Sequence, residues 1–144
     1  LHLRRHPLDT GLSNYAANFR TGLTFSNRLA ALGQYFRLYD DLMSHWEKVF
    51  PGRITPINYE TLVSHPEREI RRILTACGLD WNDACLHPDQ TEGMITTASR
   101  WQARQKITTA SVDKWRRYET HLTPLIEALG GMDWIEDYEA RRRA

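Results

Sequence analysis

The chain has 144 residues, 41% apolar and 26% charged, which is the composition of one globular domain and excludes a disordered segment. Nineteen Lys and Arg against eighteen Asp and Glu leave a net charge of +1, which argues against a general nucleic-acid binder. No apolar run approaches the ~20 residues of a membrane span, and the opening LHLRRHPLD lacks the apolar stretch of a secretory signal.

The chain opens on Leu1 rather than Met, in a strand-like alternation, Leu1-His2-Leu3. This start is expected to lie inside a longer protein. Pro7 holds His6 extended and suits the first turn of a helix. Leu8, Leu12, Tyr15 and Phe19 then make one apolar stripe, which predicts a helix over 7–19. Strand, turn and helix in this order form the usual phosphate-binding geometry of α/β proteins.

Ser26 is a good N-cap for a second helix. Leu29, Leu32, Phe36, Tyr39, Met43, Trp46 and Phe50 alternate by three and four until Pro51-Gly52 stops them. The stripe is expected to pack on the core; the alternative is a groove for a partner helix. Residues 53–58 read as a strand, weakened by Pro56. A helix starts near Pro66, with Glu67 and Glu69 in its first turn, and ends at Gly78. Ile70, Ile73, Leu74 and Cys77 are expected to face inward. Residues 80–98 look irregular, a helix resumes near Ser111, and Pro124 leads the last helix to Gly130-Gly131. The run Arg141-Arg142-Arg143 is expected to be a solvated tail. Cys77 and Cys85 have no zinc spacing and read as buried or half-buried thiols, with a disulfide as the alternative.

Three segments could carry chemistry. In Arg5-His6-Pro7-Leu8-Asp9-Thr10-Gly11-Leu12-Ser13, the Arg offers a planar fork to phosphate oxygens. The Ser hydroxyl and free amides at the helix start could complete an anion site. The blander reading pairs Arg5 with Asp9 on the surface. Tyr59, after a strand in Tyr59-Glu60-x-Leu62, could touch a ligand or be a core ring. Residues 96–106 and 111–119 mix hydroxyls, basic groups and aromatics, as in a loop folded over a polyanion or in an ordinary solvated loop.

Together, the three resemble the sulfotransferases that use 3′-phosphoadenosine 5′-phosphosulfate (PAPS), especially the bacterial type fused to tetratricopeptide (TPR) repeats and the tyrosylprotein sulfotransferases. The family's R-x-P-x-D-x-x-x-S matches Arg5 to Ser13, and its Y-E-x-L matches Tyr59 to Leu62. Its Pro-led helix ending in Gly-Leu matches 66–79, and T-A-S-x-x-Q-x-R-Q followed by S-x-x-[KR]-W-x-x-Y-E matches 97–119. The resemblance runs to about Leu129. Departures are Lys106, where relatives often carry Pro, and Ala17, where tyrosylprotein relatives carry Arg. The Gly-x-x-Gly-x-x-Lys segment of the phenol and steroid branch is absent.

The resemblance implies an α/β, P-loop-like fold, with 1–130 as the C-terminal part of one domain, 131–144 as a tail, and the first strands of the parallel sheet upstream. It implies PAPS as cosubstrate and no metal. Arg5 and Ser13 would grip the 3′-phosphate, Tyr59 the adenosine, and Ser99, Arg104 and Lys106 would lie in the covering loop. Lys114 would return to the cofactor at the next helix. The catalytic base and the 5′-phosphosulfate loop are expected before Leu1, so the 144 residues alone are expected to be inactive. The acceptor would be a hydroxyl on a sugar, tyrosine, lipid or small alcohol. The compartment would be the bacterial cytoplasm, or the Golgi lumen for a tyrosylprotein relative. The rivals are a kinase-like nucleotide-binding protein and a helical interaction module whose 29–50 stripe is exposed.

Overall fold

The computed structural model describes residues 1–17, 19, 23–90 and 105–143. Strand β1 (His2–Arg4) pairs in parallel with β2 (Pro56–Asn58), in the register His2↔Pro56, Leu3↔Ile57 and Arg4↔Asn58. Parallel strands need a crossover. Here it is made by α1 (Pro7–Ala17), a 3₁₀ turn (Thr24–Asn27) and α2 (Leu29–Val49). Then come α3 (Tyr59–Ser64), α4 (Pro66–Cys77), two short 3₁₀ turns, a 3₁₀ stretch (Lys114–His121), α5 (Thr123–Leu129) and α6 (Gly131–Arg143). The chain is thus helix-rich, with a two-stranded parallel sheet among the described residues.

The local signals act as expected at several ends. Pro66 opens α4, and Gly78 closes it in the left-handed region at φ 67°. Asn58 caps α3, its side-chain oxygen accepting from the amides of Glu60 and Thr61.

The core gathers Leu8 of α1, Leu32 of α2, Trp115, Leu122, Leu125 and Leu129 around α5, with Ile135 of α6. Two glycines let the helices close on α5. A Cβ at Gly11 would lie 2.5 Å from Leu125 Cδ2, and one at Gly33 would lie 2.7 Å from Ala128 Cβ and 2.9 Å from the Leu125 carbonyl oxygen. Arg37 of α2 then donates from Nη1 to the carbonyl of Leu129 at 2.8 Å and lies over the Trp134 ring, 4.9 Å from its centroid.

Several expectations fail for physical reasons. Ser26 is no N-cap: it is buried in the 3₁₀ turn, where its hydroxyl donates to the Leu23 carbonyl at 2.7 Å, and α2 begins after Arg28. The α2 stripe is only partly core. Leu32 is buried and Phe36 packs against the cluster, but Trp46 is 37% exposed and Phe50 49%. Cys77 and Cys85 are both exposed free thiols. The residue of α4 that is buried is Glu69, whose carboxylate accepts from Arg68 and Arg72 at 3.1 Å each. Gly130-Gly131 does not end the helical region; Gly130 closes α5 at φ 106°, and α6 starts directly after it. The basic run at the end is not all solvated, because Arg142 is buried. Among the described residues no helix is long and apolar enough to cross a membrane.

Candidate functional site

Arg5 follows β1, at the turn where the strand passes into α1. Residues of all three segments meet around it, the third represented by Ser111, since 96–104 lie outside the described residues. Its guanidinium stacks on Tyr59, 4.7 Å from the ring centroid, and its Nη2 donates to the carbonyl of Ser111 at 2.6 Å. Its Nε is buried without a partner among the described residues. Arg5 and Ser13 line one cleft of about 370 Å³, together with Thr10 and Asn14 and walls that include Phe25, Phe36 and Tyr39. A cationic fork and hydroxyls on a mostly apolar cleft suit a ligand with an anionic group and a flat apolar body.

The helix start itself offers less than expected. The amide of Leu8 donates to His6 Nδ1 at 3.2 Å, and the amide of His6 donates to Glu60 Oε1 at 2.9 Å. These two amides are therefore not free for an anion. Lys106 and Lys114 are exposed and do not line the cleft. Ser99 and Arg104 lie outside the described residues.

Asp9 corrects the surface-pair reading of the motif. It is 1% exposed, and its Oδ1 accepts the backbone amide of Trp115 at 2.9 Å, 106 residues away. The motif's aspartate thus fixes the 3₁₀ stretch against α1, next to the Arg5–Ser111 bond. His6 adds to the same junction, its ring stacked on Trp115 with centroids 5.1 Å apart. Burial holds the His6 imidazole below its ordinary pKa and raises the Asp9 carboxyl above its own, against the lowering effect of the Trp115 amide.

The Asp9 shift carries a sign. A raised folded-state pKa means that this group's contribution to stability is complete below the ordinary carboxylate range and is lost as pH rises through the folded value. Asp9→Ala leaves the Trp115 amide unpaired and should cost about 1–3 kcal/mol in urea unfolding. Asp9→Asn keeps an acceptor and sheds the buried charge. It should match or exceed wild type near pH ~7, by a margin that shrinks toward pH ~4. A margin that grows on acidification would contradict the assignment.

Sequence reasoning missed a second group of side chains. Arg142 of α6 forms ion pairs with Glu60 Oε2 and, at 2.5 Å, with Glu139 Oε2. These side chains line a second cavity of about 740 Å³ with His6, Asn58 and Trp115. Asn58 before Tyr59-Glu60 was the one local signal available, since an N-cap there makes Tyr59 the first helical residue. Among the described residues no group of three or more His, Cys, Asp or Glu could hold a metal ion.

The model of the sulfotransferase family matches residues 1–83. An uncharacterised protein of Aquifex aeolicus (strain VF5) is 40% identical over 146 residues, covering 99% of this chain and 19% of its own length. The chain is also similar to protein-tyrosine sulfotransferase 1 of Danio rerio, 30% identical over 47% of this chain and 22% of that protein. Protein-tyrosine sulfotransferase 2 of Gallus gallus is 27% identical over 47% of this chain and 21% of its own. The chain spans about a fifth of the length of the curated relatives it matches. The family model covers more than half of the chain and takes in Arg5, Ser13 and Tyr59, so this chain belongs to the sulfotransferase family.

Proposed function

We propose that the whole protein transfers a sulfuryl group from PAPS to an acceptor hydroxyl on a P-loop-like fold, and that this chain supplies the 3′-phosphate and adenosine half of the site. The supporting observation is the convergence on Arg5, with Tyr59 stacked on its guanidinium, Ser111 bonded to it and Ser13 on the same cleft. The residues fit the cosubstrate. Arg5 retains a buried, unpartnered Nε among the described residues, and charged donors to a phosphate are worth roughly 1.5–3 kcal/mol each. In the transfer, a bond forms from the acceptor oxygen to sulfur, and the bond from sulfur to the bridging phosphate oxygen breaks. 3′-Phosphoadenosine 5′-phosphate leaves, and the acceptor proton passes to a base. Catalysis of this kind rests on positioning and on neutralising charge at the equatorial oxygens, as in phosphoryl transfer. Ser99, Arg104 and Lys106 complete the proposal as contacts of the covering loop, and Lys114 as the basic residue that returns to the cofactor after it. No residue of this chain is assigned as the base. The acceptor is a hydroxyl compound; similarity to protein-tyrosine sulfotransferases makes a tyrosine phenol the first to try.

Calorimetry with 3′-phosphoadenosine 5′-phosphate tests the reading. The chain should bind it weakly, and Arg5→Ala should weaken binding about 10- to 100-fold. Ser13→Ala should weaken it by about 3- to 10-fold. Adenosine 5′-phosphate should bind less well than the bisphosphate and be indifferent to the Arg5 change. Undetectable binding, or equal affinity for the two nucleotides, overturns the reading.

A further inference from the structure

Arg142 lies in the last turn of α6, and its side chain is 3% exposed. Its Nη1 meets Glu60 Oε2 and lies 3.4 Å from Asn58 Oδ1, the oxygen that caps α3. Its Nη2 is held by Glu139, one turn back on α6. The other oxygen of Glu60 accepts the amide of His6, the residue after Arg5. One carboxylate therefore joins the turn that carries Arg5, the helix that begins at Tyr59, and the C-terminal helix. Neither Arg142 nor Glu60 lines the cleft that holds Arg5 and Ser13.

We propose that Arg142, acting through Glu60, is a positioning residue that keeps Tyr59 stacked on Arg5 and so sets the site's affinity for a nucleotide 3′-phosphate. The geometry is independent of the ligand; the consequence for affinity rests on the proposed function. Neutralising Arg142 removes the cation between Glu60 and Glu139; Arg143, 73% exposed, reaches only Glu139, at 3.4 Å. Two like charges in one partly buried place repel, and the carboxylate bonded to the His6 amide is the one free to turn away. Glu60 is 19% and Glu139 11% exposed at the side chain, so water screens this repulsion poorly. Release of Glu60 frees the turn at His6 and the first turn of α3 together. Both flank the Arg5–Tyr59 contact.

The test reads the contact and the affinity separately. By NMR, the Arg5 side-chain Nε–H resonance in the unliganded chain should carry the ring-current shift of Tyr59, defined by its change in Tyr59→Leu. Arg142→Gln and Glu60→Gln should each move it toward the Tyr59→Leu position. Each should also weaken binding of 3′-phosphoadenosine 5′-phosphate about tenfold. The double variant should be no worse than either single one, because both changes break one link. Arg143→Gln, a 73% exposed neighbour, should leave both readouts unchanged. An unmoved Arg5 resonance in folded Arg142→Gln, or additive losses of affinity in the double variant, overturns the proposal. If Arg142→Gln does not fold, Glu60→Gln is decisive, since it breaks the same link from the other side: an unmoved resonance there overturns the proposal equally. Should the wild-type chain fail to bind the nucleotide, the proposed function falls while the resonance still decides the positioning role.

Discussion

Replacing Arg142 by Ala should destabilise the chain by about 3–5 kcal/mol, the cost of leaving a buried partner charge uncompensated. Replacing its neighbour Arg143 should cost less than about 1 kcal/mol, because that side chain is 73% exposed and its contact with Glu139 is 3.4 Å. The contrast comes from the surroundings, since the two residues are adjacent and chemically identical. Arg142 is buried, as are Ile135 and Tyr138 of its own helix, and it answers two carboxylates at once. Its Nε and Glu139 Oε1 have no partner among the described residues, so the group already carries some unrecovered desolvation. Removing the cation adds to that cost. Urea unfolding of the two Ala variants at one pH makes the comparison. Equal losses would mean that Arg142 is solvated, as a basic run at a chain end would suggest.

Leu125→Ala should cost about 2–5 kcal/mol, the range for opening a cavity in a closed core. Leu125 is 1% exposed, and the α1 and α2 helices close on it through Gly11 and Gly33. The two glycines should respond differently when tested in the Leu125→Ala background. The three atoms nearest a Cβ at Gly11 all belong to the Leu125 side chain, so Gly11→Ala should be far less damaging once that side chain is cut back. A Cβ at Gly33 meets the Leu125 carbonyl and Ala128, which the Leu125 change leaves in place, so Gly33→Ala should remain costly. Equal coupling at both glycines would show that α1 and α2 do not pack on α5 through these contacts. Double-mutant unfolding cycles give the answer directly.

What was legible in the sequence was local. Pro7, Pro66, Gly78 and the 3.6-residue stripes mark helix starts, stops and faces through short-range sterics, and α1, α4 and most of α2 follow them. Arg5 and Ser13 were legible as chemistry, since an arginine at a strand end and a hydroxyl on the next helix are anion-binding types wherever they meet. The convergence on Arg5 was not legible from spacing. The Ser111 carbonyl and the Trp115 amide come from 106 residues away, and periodicity carries no information at that range. Asp9 and Arg142 were misread for the same reason. A charged side chain defaults to solvent in a local reading, and the partners that bury these two lie on other elements. The Ser26 error is smaller: its hydroxyl found a nearer acceptor, the Leu23 carbonyl, before it could cap α2.

The parallel pairing of β1 and β2 also bears on how quickly the site comes into being. His2 and Pro56 must meet across more than fifty residues, Arg142 reaches Glu60 across 82, and the two bonds from the Arg5–Asp9 turn span 106. Helices form by contacts three and four residues apart, on the order of microseconds, whereas loop-closing contacts of this length come late. An early collapsed species would therefore show most of the final helical signal while Arg5 still lacked Tyr59 and Ser111. In a refolding experiment, helix content and nucleotide binding should recover as two separate events, with binding the slower.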